Sequence, residues 1–281
     1  MSEATFIDTH AHYFDKKFDT LPGGAAGLLA DPAFLSCVRG IIHVGTNLEN
    51  SRTVVREAAR YPFMVAAVGI HPEDCQAYNE TTIPLDPDTE LSRLEDWLSD
   101  PAARRRDKIV AIGEVGLDNH WQPVDRERQM AFFEGQLSLA EKLGLPVIIH
   151  DREAHGDCFE AVLRHPAVRG VFHGYSGSAE MARQLVDRGW YIAFGGSVTF
   201  KNAQRVREVA ASVPPERLLL ETDCPYMAPV PYRGQVNHSG YLPAIARVVA
   251  DLHGMTVAEL ADVTTRGADR LFHLREFLTD L

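Results

Sequence analysis

Short apolar or β-branched runs alternate with segments of helical periodicity along almost the whole chain, and that alternation leaves few folds open. The runs lie at residues 5–8, 40–44, 63–69, 108–113, 146–149, 170–172, 190–194 and 217–220. Amphipathic stretches at 48–60, 125–143, 153–165, 179–188 and 201–212 separate most of them. Near-continuous apolar strands joined by helices imply a parallel sheet covered on its faces, because parallel strands need long crossovers and are buried on both sides. About eight such units in 281 residues predict a single closed (β/α)8 TIM barrel rather than an open doubly wound sheet. No G-x-G-x-x-G follows the first strand, so the fingerprint of an open dinucleotide-binding sheet is missing. Thr256-x-x-Glu259 is a capping box and predicts an extra C-terminal helix toward Leu271. No internal repeat, linker or low-complexity stretch divides the chain, so one domain is expected over residues 1–281.

Two stretches interrupt the repeat. Residues 74–88, with Pro84 and Pro87, read as a loop after the third strand, and residues 223–240, with Pro225, Pro229 and Pro231, as a long loop after the eighth. In a barrel both fall on the C-terminal face, where active sites are built. Gly23-Gly24-Ala25-Ala26-Gly27 reads as a mobile loop, since no lysine follows in the order a phosphate-cradling loop needs. Arg104-Arg105-Arg106 reads as a solvated turn before the fourth strand, at the opposite end from the mouth.

The strands end in an unusual way. The first finishes at His10-Ala11-His12, and residues two apart on a strand share a face. Glu114 follows the fourth run, with Val110, Ile112 and Glu114 expected on one face. His150 ends the fifth, His173 the sixth, and Asp223 follows the eighth. Four imidazoles and two carboxylates converging on one mouth are costly unless paired or bound to metal. Two cations about 3.5–4 Å apart need a bridging ligand. Glu114 is the natural bridge, with His10, His12 and Asp223 on one metal and His150 and His173 on the other. An imidazole-rich set favours zinc, manganese, iron or nickel, with magnesium a less comfortable occupant.

Composition narrows the partners. The formal net charge of −11 argues against a long basic track along nucleic acid, so any such contact is expected to be short and metal-centred. Cys37, Cys75, Cys158 and Cys224 form no C-x-x-C pair, which argues against a thiolate zinc site or a redox motif. The start Met1-Ser2-Glu3 has no signal-peptide character, and no apolar run approaches the roughly 20 residues of a membrane span. A cytoplasmic monomer or weak oligomer without membrane attachment is the expectation.

Six ordered motifs carry a family resemblance. They are Asp8-Thr9-His10-Ala11-His12, Gly69-Ile70-His71-Pro72, Gly113-Glu114-Val115-Gly116-Leu117-Asp118, His150-Asp151-Arg152, His173-Gly174-Tyr175-Ser176-Gly177 and Glu221-Thr222-Asp223-Cys224-Pro225-Tyr226. In that order the chain resembles the TatD family of metal-dependent deoxyribonucleases, within the wider amidohydrolase-like barrels. The resemblance implies a two-metal site on the six ligands above and substrate contacts from His71 and Arg152. Both lie just past strand ends, and a guanidinium is a good bidentate partner for phosphate. It also carries over Arg233 and Asn237, in the loop after the eighth strand, as substrate contacts. The chain departs from the family with Gly174-Tyr175 in the sixth-strand motif, Val236 where a basic residue is usual, and His238-Ser239. His120 and Trp121 are further candidates for lining the mouth, whereas His155, His165, His253 and His273 read as surface or helix-end residues.

The resemblance implies hydrolysis of DNA, 3′–5′ exonuclease-like, and the acidic composition points to short single-stranded ends; the expected chemistry is phosphodiester hydrolysis with Glu114 and Asp223 as catalytic carboxylates and Asp223 as general base. The same site could instead cleave an ester, lactone or amide, including the ester of a mischarged aminoacyl-tRNA. A metal-bound scaffold without catalysis is the third reading.

Overall fold

Most strands of this chain place alternate side chains inward and outward, and the two sets form separate clusters. Eight parallel strands pair in chain order: β1 (Phe6–Ala11), β2 (Val38–Val44), β3 (Met64–Val68), β4 (Ile109–Asp118), β5 (Val147–Arg152), β6 (Gly170–Phe172), β7 (Tyr191–Phe194) and β8 (Leu218–Leu220). This is the predicted TIM barrel, with helices between the strands. The computed structural model describes residues 4–76, 84–121 and 124–278. Part of the proline-rich loop expected after the third strand, residues 77–83, lies outside them.

One cluster takes Ile7, Ile42, Val44, Val65, Ala67, Val110, Ala111, Ile148, Val171, Tyr191, Ala193 and Leu219, at least one residue from every strand, and is the barrel interior. The outer faces, with Ile41, Met64, Ile112, Val147, Ile149 and Phe172, pack beneath the helices through Phe132, Phe133, Leu94 and Ile245. The extra C-terminal helix runs Val257–Phe272, and its Thr256–Glu259 capping box forms as predicted. Ala268, Leu271 and Phe272, with Leu274 and Leu278 just beyond, join the interior cluster and close the barrel's N-terminal end. A Cβ on Gly40, early in β2, would lie 2.7 Å from Leu278 Cδ1.

Closure depends on the seam between β8 and β1. Asp223 N–H donates to His10 O at 2.9 Å and His12 N–H to Cys224 O at 2.8 Å. Thr9 Oγ1 donates to Leu220 O at 3.0 Å. Beside them the buried Asp8 carboxylate accepts from Thr222 N–H, Thr222 Oγ1 and Ser239 Oγ. Burial raises Asp8 to about 7 against those hydrogen bonds.

Two local expectations are corrected. Gly23 caps a short helix, Gly24–Leu29, where a mobile loop was expected; Gly23 itself takes the left-handed conformation that glycine adopts without a Cβ penalty. The arginine run belongs to a helix, Pro101–Arg106, with Asp100 as N-cap and the three cations in its last turn, where they complement the helix dipole. Among the described residues no helix is long and apolar enough to cross a membrane.

Phe272 is buried in the plug, so Phe272→Ala is expected to lower unfolding stability by about 3–5 kcal/mol, read from urea denaturation.

Candidate metal centre

The fourth strand is longer and less regular than its sequence suggests. It continues to Asp118, and its pairing slips twice. Ala66 pairs with Ile109 but Ala67 with Ala111; Ile112 pairs with Val147 but Val115 with Ile149. Each slip inserts an extra residue, as a β-bulge does, and re-aims the side chains beyond it. Val110 therefore points into the barrel while Ile112 packs outward, which corrects the expectation that both share a face with Glu114. The second slip contains Glu114 itself. Gly116 has φ +145°, and a Cβ there would sit 2.0 Å from His150 O, so only glycine lets β4 and β5 approach at this point.

These devices set the Glu114 carboxylate among five imidazoles. Its Oε2 lies 3.3 Å from His10 Nε2 and 3.6 Å from His12 Nε2. Its Oε1 lies 2.7 Å from both His150 Nδ1 and His173 Nε2, and 3.6 Å from His71 Nε2. Asp223 completes the first side, with Oδ1 3.5 Å from His12 Nε2 and 3.9 Å from His10 Nε2. Asp223 holds φ at 54°, a conformation uncommon for residues other than glycine and often found at functional sites.

Neighbouring groups decide which ring nitrogens face inward. His12 Nδ1 lies 2.8 Å from Val44 O. Donation to that carbonyl leaves the Nε2 lone pair pointing at Glu114 and Asp223. His150 presents Nδ1 to Glu114 because its Nε2 lies 2.9 Å from Asp118 Oδ2. The rings of His10 and His173 stack at 3.9 Å. Among the described residues the buried Nδ1 atoms of His10 and His173 have no hydrogen-bond partner, although Glu221 Oε1 stands 3.5 Å from His173 Nδ1.

The electrostatics favour added positive charge. Burial opposes ionisation of Glu114, but His173, His71 and His10 outweigh it and hold the carboxyl well below its ordinary range. Burial likewise opposes charge on His173, yet Glu114 and Glu221 raise it well above the usual imidazole value. His150 is raised to about 9 because its hydrogen bonds to Asp118 and Glu114 overcome burial. His10 is lowered, by burial and by His173 beside it. Asp223 stays low because the His12 hydrogen bond and the neighbouring imidazoles exceed the cost of burial. A field that draws protons onto imidazoles also draws cations, and metal binding displaces those protons. Three groups of donor atoms, each within 4.8 Å of one another, could hold an ion: His10–His12–Glu114, His71–Glu114–His150 and His10–His173–Glu221. Nitrogen and carboxylate donors of this kind fit a divalent transition metal.

All six ligand candidates thus meet at one rim, as do some of the expected substrate contacts. His71 is buried and lies closer in than expected, within ligand reach of Glu114. Arg152 is exposed at the mouth, its guanidinium 5.5 Å from the Trp121 ring, which is itself 50% exposed. His120 pairs with Glu153. Arg233 is exposed over the Phe200 ring at 3.9 Å. Asn237 corrects its expectation. It is fully buried and spends its amide on Thr222 O, Tyr226 O and His238 N–H, so it braces the loop carrying Asp223 instead of reaching substrate. Val236 packs partly buried against the core.

Two residues of the sequence motifs gain a role that their pattern alone did not assign. Asp118 orients His150, and also accepts the N–H groups of His120 and Trp121, which ties the Trp121 turn to the site. Glu221 accepts Gly174 N–H at 2.6 Å beside His173. Strand alternation gave no signal for either, since the pairing of β4 slips at Glu114 and Glu221 lies past the last residue of β8.

Comparison with known proteins agrees with this geometry. Residues 7–273 match the model of the family described as TatD related DNase. The chain is 36% identical over 270 residues to the metal-dependent hydrolase YabD of Bacillus subtilis, covering 95% of this chain and 99% of that protein. It is 36% identical over 274 residues to the metal-dependent hydrolase YcfH of Escherichia coli, covering 95% and 96%. The crystal structure of the TatD homologue YjjV from Escherichia coli superposes with a TM-score of 0.82 at 32% identity, covering 95% of this chain and 98% of that one.

Removing the Asp118 carboxylate frees the His150 ring without touching a ligand. Asp118→Asn is expected to weaken divalent-metal retention about 10–100-fold, measured as metal content after equilibrium dialysis.

Proposed function

The chain belongs to the TatD-related DNase family of metal-dependent hydrolases, and from that premise we propose that it hydrolyses phosphodiester bonds at the ends of short single-stranded DNA, in 3′–5′ exonuclease fashion. The observation that carries this reading is the divided Glu114 carboxylate, one oxygen toward His10 and His12, the other toward His150 and His173. Two divalent cations would be held here, one by His10, His12, Glu114 and Asp223, the other by Glu114, His150 and His173. Zinc, manganese, iron or nickel suits these donors, and magnesium less well. When bound, such a pair supplies an activated water and polarises the phosphoryl oxygens.

The chain's own groups do the rest. The Asp223 carboxylate, kept ionised by the imidazoles around it, orients the attacking water and accepts its proton. The Arg152 guanidinium offers two parallel donors to the phosphate. Trp121 beside it presents a flat face on which a terminal base can stack, a contact that tolerates any base. His71 contacts the phosphate from beside Glu114, and Arg233 reaches toward the strand from the far side of the loop. The net charge of −11 favours attack on an end over tracking along a duplex.

Digestion of end-labelled single-stranded oligonucleotides tests this, with acyl esters and lactones as comparison substrates. Chelator is expected to abolish digestion, and restored metal to return it. Activity indifferent to chelator, or faster turnover of the esters, overturns the reading. Asp223→Asn is expected to lower kcat by about 10²–10⁴-fold. Arg152→Ala is expected to raise KM more than it lowers kcat, because phosphate anchoring serves ground state and transition state alike.

A further inference from the structure

The end of the barrel opposite the metal centre gathers three arginines. A pocket of about 390 Å³ opens there, with Arg169, Arg217 and Arg270 in its wall. Arg169 immediately precedes β6, Arg217 immediately precedes β8, and Arg270 lies in the last turn of the C-terminal helix. Two residues gather them. A Cβ on Gly189 would lie 3.1 Å from Arg169 Nε, and the Gly189 carbonyl accepts from Arg217 Nη1 at 2.9 Å. The buried Tyr191 ring carries the Arg217 guanidinium at 5.0 Å, and its hydroxyl lies 3.5 Å from Arg270 Nε.

Neutral groups hold all three cations. Arg169 Nη1 donates to Pro166 O at 2.6 Å and Val168 O at 2.8 Å, and Arg270 Nη2 to Glu216 O at 3.3 Å. These carbonyls fix the guanidiniums without cancelling their charge, and each guanidinium keeps further N–H groups free. Among the described residues, none of the three forms an ion pair with a carboxylate. The one carboxylate in the wall, Glu141, stands 3.3 Å from His165. Three like charges converging on a protein of net charge −11 create a local field attractive to anions. Leu145, Val168 and Leu271 add an apolar floor. The volume falls within the roughly 300–1,000 Å³ typical of small-molecule sites.

We propose that this pocket binds a phosphomonoester of mononucleotide size, its phosphate among Arg169, Arg217 and Arg270 and its organic part over the apolar floor. The site stands apart from the metal centre and does not depend on the reaction assigned there.

Titration calorimetry of the full-length, metal-loaded protein tests it, with adenosine 5′-monophosphate as probe and inorganic phosphate in parallel. Wild type is expected to show a binding event that survives in Asp223→Asn. That event is expected to weaken about tenfold or more in Arg217→Gln and in Arg270→Gln, the loss of a charge-assisted contact. Glu141→Gln removes the opposing charge and is expected to tighten it severalfold, a gain that misfolding cannot imitate. Unchanged binding across the arginine and Glu141 variants overturns the site. Inorganic phosphate binding as tightly as the nucleotide overturns the nucleotide-sized occupant.

Discussion

Closure of the seam between β8 and β1 is the constraint on which everything else rests. Those strands lie more than two hundred residues apart, and few backbone bonds join them: Asp223 to His10, His12 to Cys224, with Thr9 reaching Leu220. The same atoms that close the barrel also position His10, His12 and Asp223 against one another. Asp8 fastens the seam from behind through Thr222 and Ser239. Fold and site therefore share residues here, and a change that loosens the closure would also spread the ligands.

Burying Glu114 among imidazoles is costly in isolation, because a carboxylate out of water needs compensating charge. The protein alone meets that need by drawing protons onto His150 and His173, whose basicity Asp118 and Glu221 reinforce from outside. Asp118 also chooses which His150 nitrogen faces inward. Such outer partners orient metal-binding rings as much as the ligands themselves do. Among the described residues, His10 and His173 keep a buried ring nitrogen without a hydrogen bond, a sign of a cluster arranged for something other than its own internal pairing.

The barrel divides its labour by end. At the C-terminal end, loops after β3, β4 and β8 carry His71, Trp121 and Arg233, and the last residue of β5 is Arg152. At the N-terminal end, the capped helix Val257–Phe272 plugs the interior with Phe272 and Leu271. Arg169, Arg217 and Arg270 beside that plug are held by carbonyls and, among the described residues, form no ion pair, at an end usually associated with stability alone.

The alternation of apolar strands with helices determined the barrel, since its period and length survive any detail of packing. The strand-end positions of His10, His12, His150 and His173 were legible for the same reason: a polar side chain after pure hydrocarbon marks where a strand leaves the core. Other features were decided only by tertiary structure. The two slips in β4 reset its facing, and strict alternation cannot foresee an inserted residue. The partition of Glu114's two oxygens, the roles of Asp118 and Glu221, and the burial of Asn237 depend on distances between segments remote in sequence. A chain pattern records which face a side chain takes. Which atoms then meet across the mouth is set by how eight strands close on one another.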